Sequence, residues 1–157
     1  MTDTMLDRMR ILEDRLAIME LVGGYALNVD ARNYDALAGA FVEDARFYTE
    51  DNSLDARGSH VIKAMMEAEL PKVAFQFHTI HQHVISFDAT DSDRASGIAA
   101  GHAEIMREGQ AMVLAMRYHD QYQRRATGWK FVERRLEYLY YTPPEGYAKA
   151  LAASPVA

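Results

Sequence analysis

The chain has 157 residues with 17 Lys plus Arg against 23 Asp plus Glu, a formal charge of −6, which fits one domain over 1–157 built on a single core. Its basic residues are scattered, which argues against nucleic acid or an anionic membrane as the main partner. The lack of cysteine removes disulfides, thiolate chemistry and sulfur-ligated metal. With no long apolar run, neither a signal peptide nor a membrane span is expected, which points to a soluble, cytoplasmic protein.

Apolar residues at helical spacing (Ile11, Leu12, Leu16, Met19, Val22, Ala26, Val29) predict a long helix over 7–29. Asp30 then falls where that helix should end, a position already carrying partial negative charge. It either caps the next turn, within ARNYDAL, or is held there for a chemical reason. A second short helix is expected over 33–41 with Asn33 as N-cap, then a short strand over 45–48. A third helix starts at Gly58-Ser59 and stops near Leu70-Pro71, as the residue before proline should. Four strand-like runs follow, 73–87, 94–106, 110–124 and 129–141, joined by the turn-rich DATDSD, REGQ and RATGW. Short connections of this kind predict an antiparallel meander. The tail 144–157 reads as a loop and short helix. Helices first and strands afterwards give an α+β fold.

Strict alternation along the last strand places Val132, Arg134, Leu136, Tyr138 and Tyr140 on one face, with Phe131, Glu133, Arg135, Glu137 and Leu139 on the other. An arginine among apolar neighbours needs a partner, either a structural carboxylate or a bound anionic group. His102 shares a face with Ser96, Ile98, Ala100, Glu104 and Met106. It points either into the space of Arg134 or into the core as a hydrogen-bonded histidine.

The run FHTIHQHVI holds three of the six histidines. His81 and His83 have the i, i+2 spacing of a strand-borne zinc pair, but no third ligand stands at a diagnostic spacing, so no metal is expected. His78 falls on the opposite face unless a bulge intervenes. It is either a core histidine or a base oriented by Asp30.

The stretches LEDRLAIMELVGGYALNVDARNYDALAGAFVEDARFY, FHTIHQHVISFD and MRYHDQYQRRATGWKFVERRLEYLYYTP together resemble the SnoaL-like branch of the nuclear-transport-factor-two-like superfamily, over about residues 8 to 143. The resemblance implies a cone-shaped barrel in which a curved, mostly antiparallel sheet wraps about three N-terminal helices and encloses an apolar pocket. In its dehydratase and dehydrochlorinase members, an aspartate at the end of the first helix orients a proton-abstracting strand histidine, and these positions fall on Asp30 and His78. A tyrosine of the bile-acid dehydratase falls on Tyr25, an arginine after a W-K-F motif on Arg134, and a second histidine of scytalone dehydratase lies near His102.

The implied chemistry is cofactor-free elimination. His78, held in one tautomer by Asp30, would take a proton from carbon as a leaving group departs from the neighbouring carbon. Tyr25 would donate to an oxygen, and Arg134 or His102 would stabilise developing negative charge. Phe47, Tyr48, Met116 and Tyr138, with Phe77 and Met112, would form an apolar wall for a small cyclic, aromatic, polyketide or steroid-like substrate, or else are simply core. The same pocket would also suit a polyketide cyclase, isomerase or epoxide hydrolase, or a domain that only binds small molecules. Self-association through the sheet, as a homodimer or higher homo-oligomer, is also expected.

Overall fold

The structure, a computed structural model describing residues 4–153, is a single open sheet with helices packed on its inner face. The chain runs α1 (Met5–Ala31), α2 (Tyr34–Gly39), β1 (Phe41–Thr49), β2 (Asp55–Arg57), α3 (Ser59–Glu69), β3 (Val73–Phe87), β4 (Arg94–Arg107), β5 (Gln110–Arg125), β6 (Gly128–Thr142) and α4 (Tyr147–Ala153). The strand order is β2-β1-β6-β5-β4-β3. The sheet is curved but unclosed, with β2 and β3 at its edges. All neighbours are antiparallel except β1 and β6, which run parallel. The expected α+β architecture and four-strand meander are present. The expected strand over 45–48 is a nine-residue β1 beginning at Phe41, and β2 is an addition that sequence reading did not find. The last four residues of the expected tail lie outside the described residues.

α1 opens with Thr4 and Asp7 in a capping box and closes on Arg32 in the left-handed conformation. Its buried line is Asp14, Ile18, Val22, Tyr25, Ala26 and Val29. Ile11, Leu12, Leu16 and Met19, expected on the inner face, are exposed. The first half of the helix is apolar around much of its circumference, so periodicity there defines no unique face. The face turned inward is chosen by a polar anchor: Asp14 accepts from Trp129 Nε1 at 3.0 Å and from Arg124 Nη1 at 2.5 Å. Asn33 caps α2 as expected, accepting from the Ala36 N–H at 3.3 Å.

Three strand irregularities set the inner surface. The β3–β4 register skips His81, so His78 and His83 both turn inward while His81 turns out. Beside this bulge the strands approach so closely that a Cβ on Gly101 would sit 2.6 Å from the Thr79 carbonyl oxygen, and only glycine fits. In β6 the register skips Val132 and again Leu139. Phe131 and Arg134 therefore share the inner face, and Tyr141 rather than Tyr140 faces inward in the last segment. Among the described residues no helix is long and apolar enough to cross a membrane.

Candidate functional site

A cavity of about 130 Å³ lies between the sheet and α1 and α3. Its deep end is made by Tyr25, Met116 and Tyr118, all nearly inaccessible. Its outer rim holds Tyr138, Tyr141, Arg107 and Glu69, which are partly open to solvent. Met65, Met66, Leu70, Leu114 and Leu136 complete a largely apolar lining. Gln76 is fixed at the wall by donating to the Val29 carbonyl at the end of α1.

His78 stands on the cavity wall. Its Nδ1 lies 2.6 Å from Asp30 Oδ1, and its backbone N–H donates to Asp30 Oδ2 at 2.9 Å. Asp30 sits in the last turn of α1, so one carboxylate joins the helix end to the third strand through both its oxygens. It does not cap α2, the task that Asn33 performs. A carboxylate only accepts, so the proton between the two groups is assigned to Nδ1, which in the neutral imidazole leaves the lone pair on Nε2.

Arg134 is fully buried and meets Asp120 directly across β5–β6, with Nε–Oδ1 at 2.8 Å and Nη2–Oδ2 at 2.7 Å. Of the two readings of its partner, the structure therefore shows a structural carboxylate. Tyr122 adds its hydroxyl to Asp120 at 2.8 Å and lies 3.0 Å from His83 Nε2. The Arg134 guanidinium carbon lies 4.3, 4.1 and 3.9 Å from the ring centroids of Tyr25, Tyr118 and Phe131, close enough for cation–π attraction. Burial disfavours the charged guanidinium, but Asp120 more than offsets this and holds it a cation. Tyr25 and Tyr118 stand between Arg134 and the cavity space, which Arg134 itself does not line.

The remaining candidates divide. Phe47, Met116, Tyr138 and Tyr25 line the cavity. Tyr48 does not: it lies on the outer side of β1, stacked under Arg46 at 3.9 Å with its hydroxyl donating to Glu133 at 3.2 Å. His102 is also outside. Inward positions on β4 are Ala95, Ala99 and Ala103, and His102, one residue out of phase, pairs its Nδ1 with His81 Nε2 at 2.7 Å. The bulge at His81 puts that histidine and His83 on opposite faces, which removes the i, i+2 pair considered for zinc. Phe77 is exposed on the outer face, and Met112 does not line the cavity. Sequence reading missed Asp120, Tyr118, Arg107 and Glu69. The DQYQRR run did contain the buried carboxylate, at two-residue spacing from Tyr122.

Burial pushes the phenols of Tyr25 and Tyr118 above the ordinary tyrosine range, with Arg134 offsetting only part of the shift. A group whose folded pKa is raised contributes stability in full below its unfolded value and loses it as pH rises above that value, here about 10. Spectrophotometric titration with circular dichroism is therefore expected to show these tyrosines ionising only as the fold is lost, above about pH 10. Reversible ionisation of all nine tyrosines near pH 10 with an unchanged dichroism spectrum would contradict their burial.

A family model described as SnoaL-like domain matches residues 10–135. Among solved structures, a type-2 hexachlorocyclohexane dehydrochlorinase is 25% identical with a TM-score of 0.79, over 89% of this chain and 93% of that one. A scytalone dehydratase-like protein from Novosphingobium aromaticivorans is 25% identical with a TM-score of 0.73, over 91% of each chain. An NTF2-like protein with a cystatin-like fold, also from Novosphingobium aromaticivorans, is 25% identical with a TM-score of 0.65, over 97% of each chain. No curated protein matches the sequence.

Proposed function

The chain belongs to the SnoaL-like domain family, and from that premise we propose that it is a cofactor-independent lyase whose base is His78. The family match and the dehydrochlorinase and dehydratase neighbours support a small-molecule lyase-type role. The single observation that carries the finer reading is the 2.6 Å contact between Asp30 and the Nδ1 of a histidine on the wall of an apolar cavity.

In this reading Nε2 of His78 takes a proton from a substrate carbon. The C–H electron pair forms the new double bond, and a hydroxyl or halide leaves the adjacent carbon with its own bonding pair. Asp30 stabilises the imidazolium that forms. Tyr25, kept protonated by burial, is a hydrogen-bond donor at the deep end of the cavity. Arg134 acts through the rings of Tyr25 and Tyr118 and is a positioning residue. Phe47, Met116 and Tyr138 hold a small cyclic substrate by apolar contact. The same reading makes the chain one such domain, in a cytoplasmic protein. The exposed Phe75, Phe77, Val84 and Ile98 on the outer sheet face support homo-oligomer formation.

The test is a panel of halogenated cyclohexanes and cyclic β-hydroxy ketones, assayed for alkene formation with wild type and His78→Ala. Product is expected with wild type, and the variant should lose at least about 100-fold in turnover while still binding the substrate. Turnover that survives His78→Ala would remove His78 as the base, whereas an inert wild type that binds panel members unchanged would favour a binding domain. Isomerised or cyclised product without loss of a leaving group would favour the isomerase or cyclase reading.

A further inference from the structure

The cavity has one side chain of each fixed charge in its lining, Arg107 and Glu69, both at the rim and 3.2 Å apart. Glu69 also receives Lys72 Nζ at 2.6 Å. One carboxylate thus meets two cations and balances only one of them, in a chain whose overall charge is −6. Glu69 can release Arg107 without being left alone, because Lys72 remains on its other oxygen. The Arg107–Glu69 pair is itself part-exposed, with side-chain accessibilities of 37% and 28%, and pairs of that kind are weak. Resting on the lyase reading of the site, we infer that Arg107 recognises an anionic oxygen group, a carboxylate in the first instance, on the part of the substrate that projects to the cavity mouth, with Glu69 holding its place when the cavity is empty.

Strand geometry sets the spacing. His78 pairs with Ala103, and Arg107 pairs with Val73 on the same two strands. Ala103, Ile105 and Arg107 alternate onto the inner face. Four residues along a strand span about 13 Å, a distance that the inward-reaching imidazole and guanidinium shorten. A substrate with an apolar ring beside His78 and a carboxylate several bonds away fits between them. The planar guanidinium fork suits two carboxylate oxygens better than a lysine would. A neutral substrate would leave Glu69 in place and draw nothing from Arg107.

The test is calorimetric binding of 2-naphthoate and its neutral counterpart 2-naphthamide to the full chain, which requires no turnover. Wild type is expected to bind the carboxylate about tenfold more tightly or better. Arg107→Gln should bring the two ligands to similar affinity. Glu69→Gln, which frees Arg107, should strengthen naphthoate alone. Arg117→Gln removes an arginine that faces Glu137 at 3.8 Å and does not line the cavity, and should leave the preference intact. Equal binding of the two ligands, binding of neither, or a preference that survives Arg107→Gln would each overturn the assignment. The same would follow if the preference were lost with His78→Ala and kept with Arg107→Gln, since the imidazole would then be the anion site. None of these outcomes alters the readout of the lyase reading, which is alkene formation dependent on His78. Charge preference without any such turnover would leave an anion-selective pocket that performs no elimination.

Discussion

Asp120→Ala is expected to lower stability by about 3–5 kcal/mol, measured by urea unfolding. Asp120 and Arg134 have side chains with no solvent exposure and two hydrogen bonds between them. Removing the carboxylate leaves a guanidinium that burial opposes, with only the faces of Tyr25, Tyr118 and Phe131 as company. One of its nitrogens, Nη1, already has no hydrogen-bond partner, so the site has little left with which to compensate. The loss extends to Tyr122, whose buried hydroxyl would keep only His83. Replacing both charges, with Asp120→Leu and Arg134→Met together, is expected to recover most of the loss, because an apolar pair of similar volume pays no desolvation. A single variant within about 1 kcal/mol of wild type would show that water reaches the pair and that the cation is not held by Asp120. A double variant as unstable as the single would show that packing, not charge, is what Asp120 supplies.

That network also marks where sequence reading reached and where it stopped. The position of Asp30 was legible because a carboxylate in the last turn of a helix opposes the local dipole, and family resemblance supplied its partner. Arg134 was legible as a buried cation needing a partner, yet the partner was not. Asp120 lies directly opposite it only because of the β5–β6 register, and the skipped Val132 and Leu139 change which residues of β6 face inward. Strict alternation put Phe131 and Arg134 on opposite faces, whereas the ring and the cation are in contact. His102 was misplaced for another reason: alternation holds along β4, whose pairing with β5 has no register shift, but alternation alone does not say which face turns inward. A bulge is a property of two strands and of the glycine that lets them approach, as Gly101 does beside Thr79, so a single strand's pattern does not disclose it. His78 illustrates the converse: its inward direction relative to His83 was conditional on a bulge, and the skipped His81 is that bulge. The α1 stripe was misread for a different reason, because the burial choice belongs to Asp14, Arg124 and Trp129, residues far apart in sequence.

Asp30→Asn is expected to reduce turnover by about 100- to 10,000-fold while changing stability by less than about 1 kcal/mol. The two effects separate because they have different origins. The Asp30 carboxylate accepts from the His78 backbone N–H and stands beside Nδ1 of the ring. An asparagine keeps an oxygen for the backbone N–H but turns its NH₂ toward Nδ1, so it donates where the carboxylate accepted. The ring then carries its proton on Nε2, which can no longer take one from carbon. It also loses the negative charge that would stabilise the imidazolium. Stability is nearly spared because a carboxylate in the last turn of α1 is opposed by the helix dipole by about 0.3–1 kcal/mol. Neutralising it offsets much of what the weaker hydrogen bonds give up. Steady-state turnover on whichever panel member wild type converts, measured beside urea unfolding of both proteins, checks the two numbers together. Turnover within about threefold of wild type would remove Asp30 from the mechanism and reduce its contact with His78 to a link between helix and strand. Turnover and stability falling together by several kcal/mol would assign it to the fold instead. Only a fold left standing without its reaction fits a carboxylate kept at the unfavourable end of a helix for the histidine it orients.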